Sequence, residues 1–102
     1  MDEMLERLAR RLPDAPQTEE TRALMRDLLE DAQAWALAYT RRKALPEELS
    51  SIVLRLAAML YNRMGIEGES THAEGGITLS IDAVPLDIRE ALNAYRLART
   101  AH

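Results

Sequence analysis

The chain of 102 residues contains no cysteine and no phenylalanine, and aromatic residues make up only 4% of it. The absence of cysteine excludes disulfide bonds and thiolate metal sites, so folding does not require an oxidising compartment. A core with so few rings must be built from Leu, Ile, Val, Met and Ala, which suits packed helices. Because apolar residues still form 47% of the sequence, we expect one globular domain that spans residues 1–102.

The sequence also has no long hydrophobic run. Its longest apolar stretch, Val53–Tyr61, is interrupted by Arg55 and is too short to span a bilayer. The N-terminal residues Met1-Asp2-Glu3 are acidic, so we expect no signal peptide. These features predict a soluble protein that is made in a cytoplasm and has no membrane partner.

Positive charge is scarce, because the chain has a single lysine and a net charge of −4. A protein that holds duplex DNA must neutralise several phosphates with Lys and Arg side chains. An acidic chain is therefore not suited to holding DNA as its main task. It remains compatible with lining a channel through which DNA slides without being bound.

Four stretches repeat apolar residues at the spacing of an amphipathic helix. We expect these helices at Asp2–Leu12, from Thr18 to the cations Arg41–Lys43, from Pro46 to Gly65 and from Pro85 to about Thr100. Thr18 is the predicted N-cap of the second helix, and Gly65 the predicted end of the third. Trp35 and Tyr39 are predicted core residues.

The third of these helices is apolar nearly all round. Such a helix must be buried, either at the centre of the domain or against another subunit.

A β-hairpin is predicted between the third and fourth helices, over Glu67–Asp82 with Gly75-Gly76 as its turn. Only its second strand alternates cleanly, through Ile77, Leu79 and Ile81. The first strand has little to bury, and a two-stranded ribbon is marginal in water. It should lie against the helices or against another copy of the chain. The predicted fold is thus mainly α, a small bundle of about four helices with this hairpin.

No set of residues in the sequence points to catalysis or metal binding. The two histidines, His72 and His102, lack ligand spacing. Ser50-Ser51 has no glycine-elbow context, and the adjacent Glu47-Glu48 side chains diverge on a helix. Since no glycine-rich loop precedes a helix, we expect no enzymatic activity, no metal and no cofactor.

Two arginine-containing sites have two interpretations each. Arg89, Arg96 and Arg99 fall on one face of the last helix, away from its apolar stripe, and form either a solvated face or a contact with a partner or channel. Tyr61-Asn62-Arg63 is either a polar helix end or a site where Arg63 pairs with a carboxylate of a neighbouring subunit.

The stretch between Leu45 and Ile81 carries a family resemblance. Its residues are Pro46-Glu47-Glu48-Leu49, Ile52-Val53, Tyr61-Asn62-Arg63, Gly65, Glu67-Gly68 and Glu74-Gly75-Gly76. Through these residues the chain resembles the head–tail connector proteins of tailed phages, small adaptors that dock under the portal of a packaged capsid.

The resemblance implies a structural adaptor of a tailed phage or prophage. Such a protein assembles as a ring on the portal, dodecameric to match it, and joins the DNA-filled head to the tail. The implied partners are other copies of the chain, the portal protein, a tail-side completion or stopper protein, and DNA that passes through the channel without sequence-specific binding. The implied location is the virion, after synthesis in the bacterial host cytoplasm.

A subunit or portal interface follows from the resemblance as a hypothesis. Its expected residues are Tyr61, Asn62, Arg63, Glu67, Ile77, Leu79, Ile81, Arg89, Arg96 and Arg99.

The alternative function is a small helical DNA-binding regulator or an antitoxin-like interaction module. A recognition helix needs exposed Arg, Lys, Asn or Gln side chains near its start. The third helix begins instead with two glutamates and then turns apolar, which disfavours this alternative.

Overall fold

The computed structural model describes residues 2–67 and 84–97. This part of the chain is helical and contains no strand, which confirms the mainly α prediction. Its elements are α1 (Asp2–Arg11), α2 (Glu19–Thr40), a 3-10 turn (Glu47–Leu49), α3 (Ser50–Glu67) and α4 (Leu86–Ala94). The predicted hairpin, with Ile77, Leu79 and Ile81, lies outside the described residues.

Helix α2 begins where the sequence predicts. Thr18 is its N-cap, and the Thr18 hydroxyl accepts a hydrogen bond of 3.1 Å from the Thr21 backbone N–H. This bond satisfies one of the amides that the first helical turn leaves unpaired. Glu19 and Glu20 follow in the first turn, where negative charge complements the helix dipole.

The C-terminus of α2 is closed by a residue in the left-handed conformation. Arg41 has φ 61° and ψ 34°. The N–H of Arg41 bonds to the Ala38 carbonyl at 3.3 Å, and the N–H of Arg42 bonds to the Leu37 carbonyl at 3.0 Å. This pair of bonds is the Schellman arrangement, which is usually built on glycine because a side chain disfavours the left-handed region.

Helix α3 departs from its predicted bounds at both ends. Pro46 precedes the 3-10 turn, and the α-helix itself starts only at Ser50. Gly65 does not end the helix, which continues to Glu67. The predicted stop is wrong because a glycine inside a helix costs only about 1 kcal/mol relative to alanine. Glu67 accordingly belongs to α3 and not to the first strand of a hairpin.

The core lies between α2 and α3, which form the largest packing contact, and α1 and α4 each pack against both. Fully buried leucines such as Leu8, Leu28 and Leu56 fill the centre. Burial of each such side chain contributes about 2 kcal/mol. The buried residues of α3 are Ile52, Val53, Leu54, Leu56, Ala57 and Leu60. Helix α3 is thus central, which is the first of the two predicted alternatives, and it shares the centre with α2.

Helix α4 is shorter than predicted and ends at Ala94. After it, the N–H of Arg96 bonds to the Asn93 carbonyl, and the N–H of Leu97 bonds to the Thr40 carbonyl at 2.9 Å. The chain leaves the helix because the last carbonyl of α2 offers this partner. Arg96 therefore does not share a helical face with Arg89, contrary to the prediction, and Arg99 lies outside the described residues.

Candidate functional site

The C-terminal end of α2 is tied to the segment after α4, and we call this contact the C-terminal junction. The Arg42 Nε–H donates to the Tyr95 carbonyl at 2.7 Å, and the Arg41 guanidinium donates to the Leu97 carbonyl at 3.4 Å. The Arg42 guanidinium also lies 5.9 Å from the Tyr95 ring centre. Two of the cations at the predicted end of the second helix thus hold the chain that follows α4.

Aromatic side chains of α2 lie beside the C-terminal junction. Trp35 and Tyr39 stack with their ring centres 5.3 Å apart and their planes 6° from parallel. The Tyr39 hydroxyl donates to Asn93 Oδ1 at 2.6 Å, and the Arg96 guanidinium lies 4.8 Å from the Tyr39 ring centre. Both rings are only partly buried, so the prediction that they are core residues is wrong. They cover the edge of the core, where the tyrosine hydroxyl finds a polar partner.

The exposed face of α3 carries an ion pair with α4. Arg55, the residue that interrupts the apolar run, contacts the carboxylate of Asp87 in the first turn of α4. The side-chain hydrogen bond from Arg55 is the largest cause that lowers the pKa of Asp87 below its ordinary value. Both side chains are exposed, so this pair contributes little to folding stability. The pair places the Arg55 guanidinium beside the start of α4.

A shallow groove lies beside this pair, and we call it the arginine groove. It encloses about 560 Å³ between the end of α1, the outer side of α3 and the start of α4. Three arginines surround it, and aliphatic side chains lie between them. Its lining residues are Arg11, Arg55, Ala58, Met59, Asn62, Arg63, Pro85 and Ile88.

A smaller hollow of about 230 Å³ adjoins the arginine groove. Arg11 and Asn62 line both, and Tyr61 belongs to the smaller one. The structure therefore brings Tyr61, Asn62 and Arg63 to one continuous surface.

The chemistry of this surface is recognition by charge and apolar contact. Guanidinium groups bind carboxylates through paired hydrogen bonds, and their planar form tolerates partial burial. Met59 offers a flexible apolar floor that adapts to an incoming side chain. The surface is thus complementary to a partner that presents acidic side chains beside small or aliphatic ones.

No metal centre is found among residues 2–67 and 84–97, in which no group of three His, Cys, Asp or Glu side chains converges. His72 and His102 lie outside these ranges.

In the same described ranges, no helix has the length and apolar content needed to cross a membrane.

The predicted interface residues that the structure describes do not all lie on one surface. Asn62 and Arg63 line the arginine groove, Tyr61 adjoins it, and Arg96 lies at the C-terminal junction. Arg89 is half-buried on α4, and within the described part of the chain its buried Nε has no hydrogen-bond partner. Glu67 is the last residue of α3.

Two of the three arginines of the arginine groove are missed by sequence reasoning. Arg11 lies far from α3 in sequence, so only tertiary packing brings it there. Arg55 does carry a signal, since it is the only charge inside the apolar run of α3. A lone charge in such a run indicates a position that faces solvent or a partner.

Comparison with known families gives a match that covers residues 17–96 and is described as Phage gp6-like head-tail connector protein. The matched residues include all of α2, the 3-10 turn, α3 and α4. Comparisons with curated proteins and with solved structures yield no match. Because the family match spans most of the chain, the protein belongs to the phage gp6-like head-tail connector family.

Proposed function

We propose that this connector assembles as a ring on the portal of a tailed phage or prophage and joins the DNA-filled head to the tail. The observation that carries the proposal is the family match over residues 17–96. The family is one of structural phage proteins, and the protein accordingly acts by assembly and not by catalysis. Its place of action is the virion.

The subunit has surface features that suit ring assembly. A ring closes through heterologous joints, in which one face of each subunit fits a different face of the next. The arginine groove is one such face in a chain whose net charge is −4. Tyr61, Asn62 and Arg63 are proposed as contact residues because they line the groove and the adjoining hollow.

The partners are then other copies of the chain, the portal and a tail-side completion or stopper protein. A dodecamer would match the portal. DNA passes through the ring, and its phosphates are weakly repelled by an acidic wall, so the DNA does not adhere. Ile77, Leu79 and Ile81, in residues that the structure does not describe, remain proposed contacts with a neighbouring copy.

The burial of α3 argues against the regulator alternative. A recognition helix must present its first turns to the major groove of DNA. Ile52, Val53 and Leu54, in the first turns of α3, are buried in the core. This helix is therefore not free to enter DNA.

The proposal is tested by removing the gene from a phage and by adding the purified protein back. A phage that carries the gene is grown with and without it, and DNA-filled heads and complete virions are counted by electron microscopy. Without the protein we expect DNA-filled heads that lack tails. Purified protein added to those heads should appear as a ring at the portal vertex and should restore tail joining.

The matched control is protein carrying Leu56→Ala, which removes a fully buried core side chain and should reduce the yield of joined particles. Complete virions in the absence of the protein would contradict the adaptor role. Tight sequence-specific binding of duplex DNA by the purified protein would favour the regulator instead.

A further inference from the structure

The side of α2 that points away from the core is acidic and carries small residues. Exposed positions recur there at intervals of three and four residues, which places them on one helical face. These positions are Glu20, Ala23, Asp27, Glu30 and Ala34. We call this the outer face of α2. Arg26 flanks it, so three carboxylates stand beside a single exposed cation.

The outer face of α2 and the arginine groove lie on opposite sides of the subunit. Helices α2 and α3 bury their apolar faces against each other. The exposed residues of α2 therefore point away from α3, and the exposed residues of α3, such as Arg55 and Asn62, point away from α2. Two different surfaces on opposite sides are what a head-to-tail joint between identical subunits requires.

The charges of the two surfaces are complementary. The groove carries the positive charges of Arg11, Arg55 and Arg63, and Arg55 also contacts Asp87. The outer face carries Glu20, Asp27 and Glu30. Two copies of a chain with net charge −4 repel each other in most orientations. Juxtaposing groove and outer face converts that repulsion into attraction, so charge selects this orientation.

Small residues on the outer face also permit close approach. Ala23 and Ala34 project little from α2, so a helix backbone can approach the groove closely at these positions. Met59 at the groove floor can adapt its side chain to the ridge between them.

We propose that the arginine groove of one subunit binds the outer face of α2 of the neighbouring copy. This contact is the repeating joint of the ring, and the proposal rests on the ring assembly proposed above. It commits the groove to a second copy of this chain, leaving the portal and the tail-side protein to other surfaces.

Disulfide trapping tests the joint directly, because the chain has no cysteine of its own. Arg11→Cys protein is mixed with Glu30→Cys protein under mild oxidation, and mixed disulfides are quantified by mass spectrometry. The matched control is Arg10→Cys mixed with Glu30→Cys. Arg10 is exposed beside Arg11 in the last turn of α1 but does not line the groove. We expect about tenfold more mixed disulfide with Arg11→Cys than with this control.

Charge reversal provides a second readout. Arg11→Glu and Glu30→Arg should each weaken self-association about tenfold in sedimentation at low salt, since each creates a like-charge contact. The double variant restores the pair in reversed order and should associate again, whereas Arg10→Glu should behave as wild type. Failure of the double variant to recover would overturn the joint.

The outcomes separate this joint from the adaptor function. Rings on phage heads without excess Arg11–Glu30 disulfide would overturn the joint while leaving the adaptor role intact. Cross-linking of Arg11→Cys to the portal in place of the second copy would assign the groove to the portal and also overturn it. Complete virions formed without the protein would instead overturn the adaptor role, whatever the disulfide yield.

Discussion

At the scale of single residues, the charges that matter are those placed on otherwise apolar elements. Arg55 lies on a helix whose neighbouring positions are buried, and it reaches solvent and Asp87 together. Its guanidinium borders the arginine groove and at the same time holds the start of α4. One arginine thus links the core helix to the surface that we propose for assembly.

The Arg55–Asp87 pair predicts a titration shift. The pKa of Asp87 should lie below the ordinary aspartate value of 3.8 because Arg55 bonds to its charged form. A carboxyl with a lowered folded pKa stabilises the fold above its unfolded pKa and loses that contribution as pH falls through the folded value. Carboxyl-detected NMR measures this shift. In Arg55→Gln the Asp87 pKa should return toward 3.8, and an unchanged value would contradict the pairing.

Truncation of a buried core side chain should cause a large loss of folding stability. Leu56 is fully buried in the middle of α3, so Leu56→Ala should lower the free energy of unfolding by about 2–5 kcal/mol. Leu86→Ala is the matched control, because Leu86 is 62% exposed and its truncation should cost less than about 0.5 kcal/mol. Urea denaturation measures both. Equal losses for the two variants would show that α3 is not central.

At the scale of elements, the end of α2 organises the C-terminal part of the described chain. Its Schellman closure turns the backbone at Arg41, and its last carbonyl accepts the N–H of Leu97. Thr40, buried at this point, donates its hydroxyl to the Ala36 carbonyl at 2.8 Å. The helix end therefore has the Leu37, Ala38 and Thr40 carbonyls paired while it anchors the chain after α4.

The left-handed conformation of Arg41 predicts a difference in folding stability between two substitutions at this position. Glycine adopts that conformation freely, whereas alanine is disfavoured there by about 1 kcal/mol. Arg41→Gly and Arg41→Ala both lose the contact with the Leu97 carbonyl. Arg41→Gly should therefore be more stable than Arg41→Ala by about that amount in chemical denaturation. A more stable alanine variant would contradict the observed closure.

At the scale of the whole molecule, α1 and α4 both pack onto the central pair of helices. Elements that share one core lose their packing together. The described helices should therefore behave as one cooperative unit, as the prediction of a single domain over residues 1–102 requires.

This cooperativity predicts a single thermal transition. Trp35 is the only tryptophan and lies at the edge of the core. Its fluorescence should change with the same midpoint as the helical circular dichroism signal. Leu56→Ala should move both signals together to lower temperature. Two separated midpoints would show that α1 or α4 unfolds independently and would argue against one domain.

Local sequence pattern is enough to predict the number and order of the described helices, because apolar periodicity and helix caps act over a few residues. Thr18 marks the start of α2 through a bond inside its own first turn. The family resemblance also came from local residues, since Tyr61-Asn62-Arg63 and the segment from Pro46 can be recognised without knowing their neighbours.

The end of α4 and the grouping of charges depend on tertiary packing. Helix α4 stops early because Thr40, distant in sequence, accepts a bond from Leu97. The arginine groove unites Arg11, Arg55 and Arg63 from two helices. Gly65 stays within α3 because its intrinsic penalty is small compared with the packing of that helix. These features depend on contacts between segments that are distant in sequence. The free energies of such contacts cannot be inferred from a local sequence pattern.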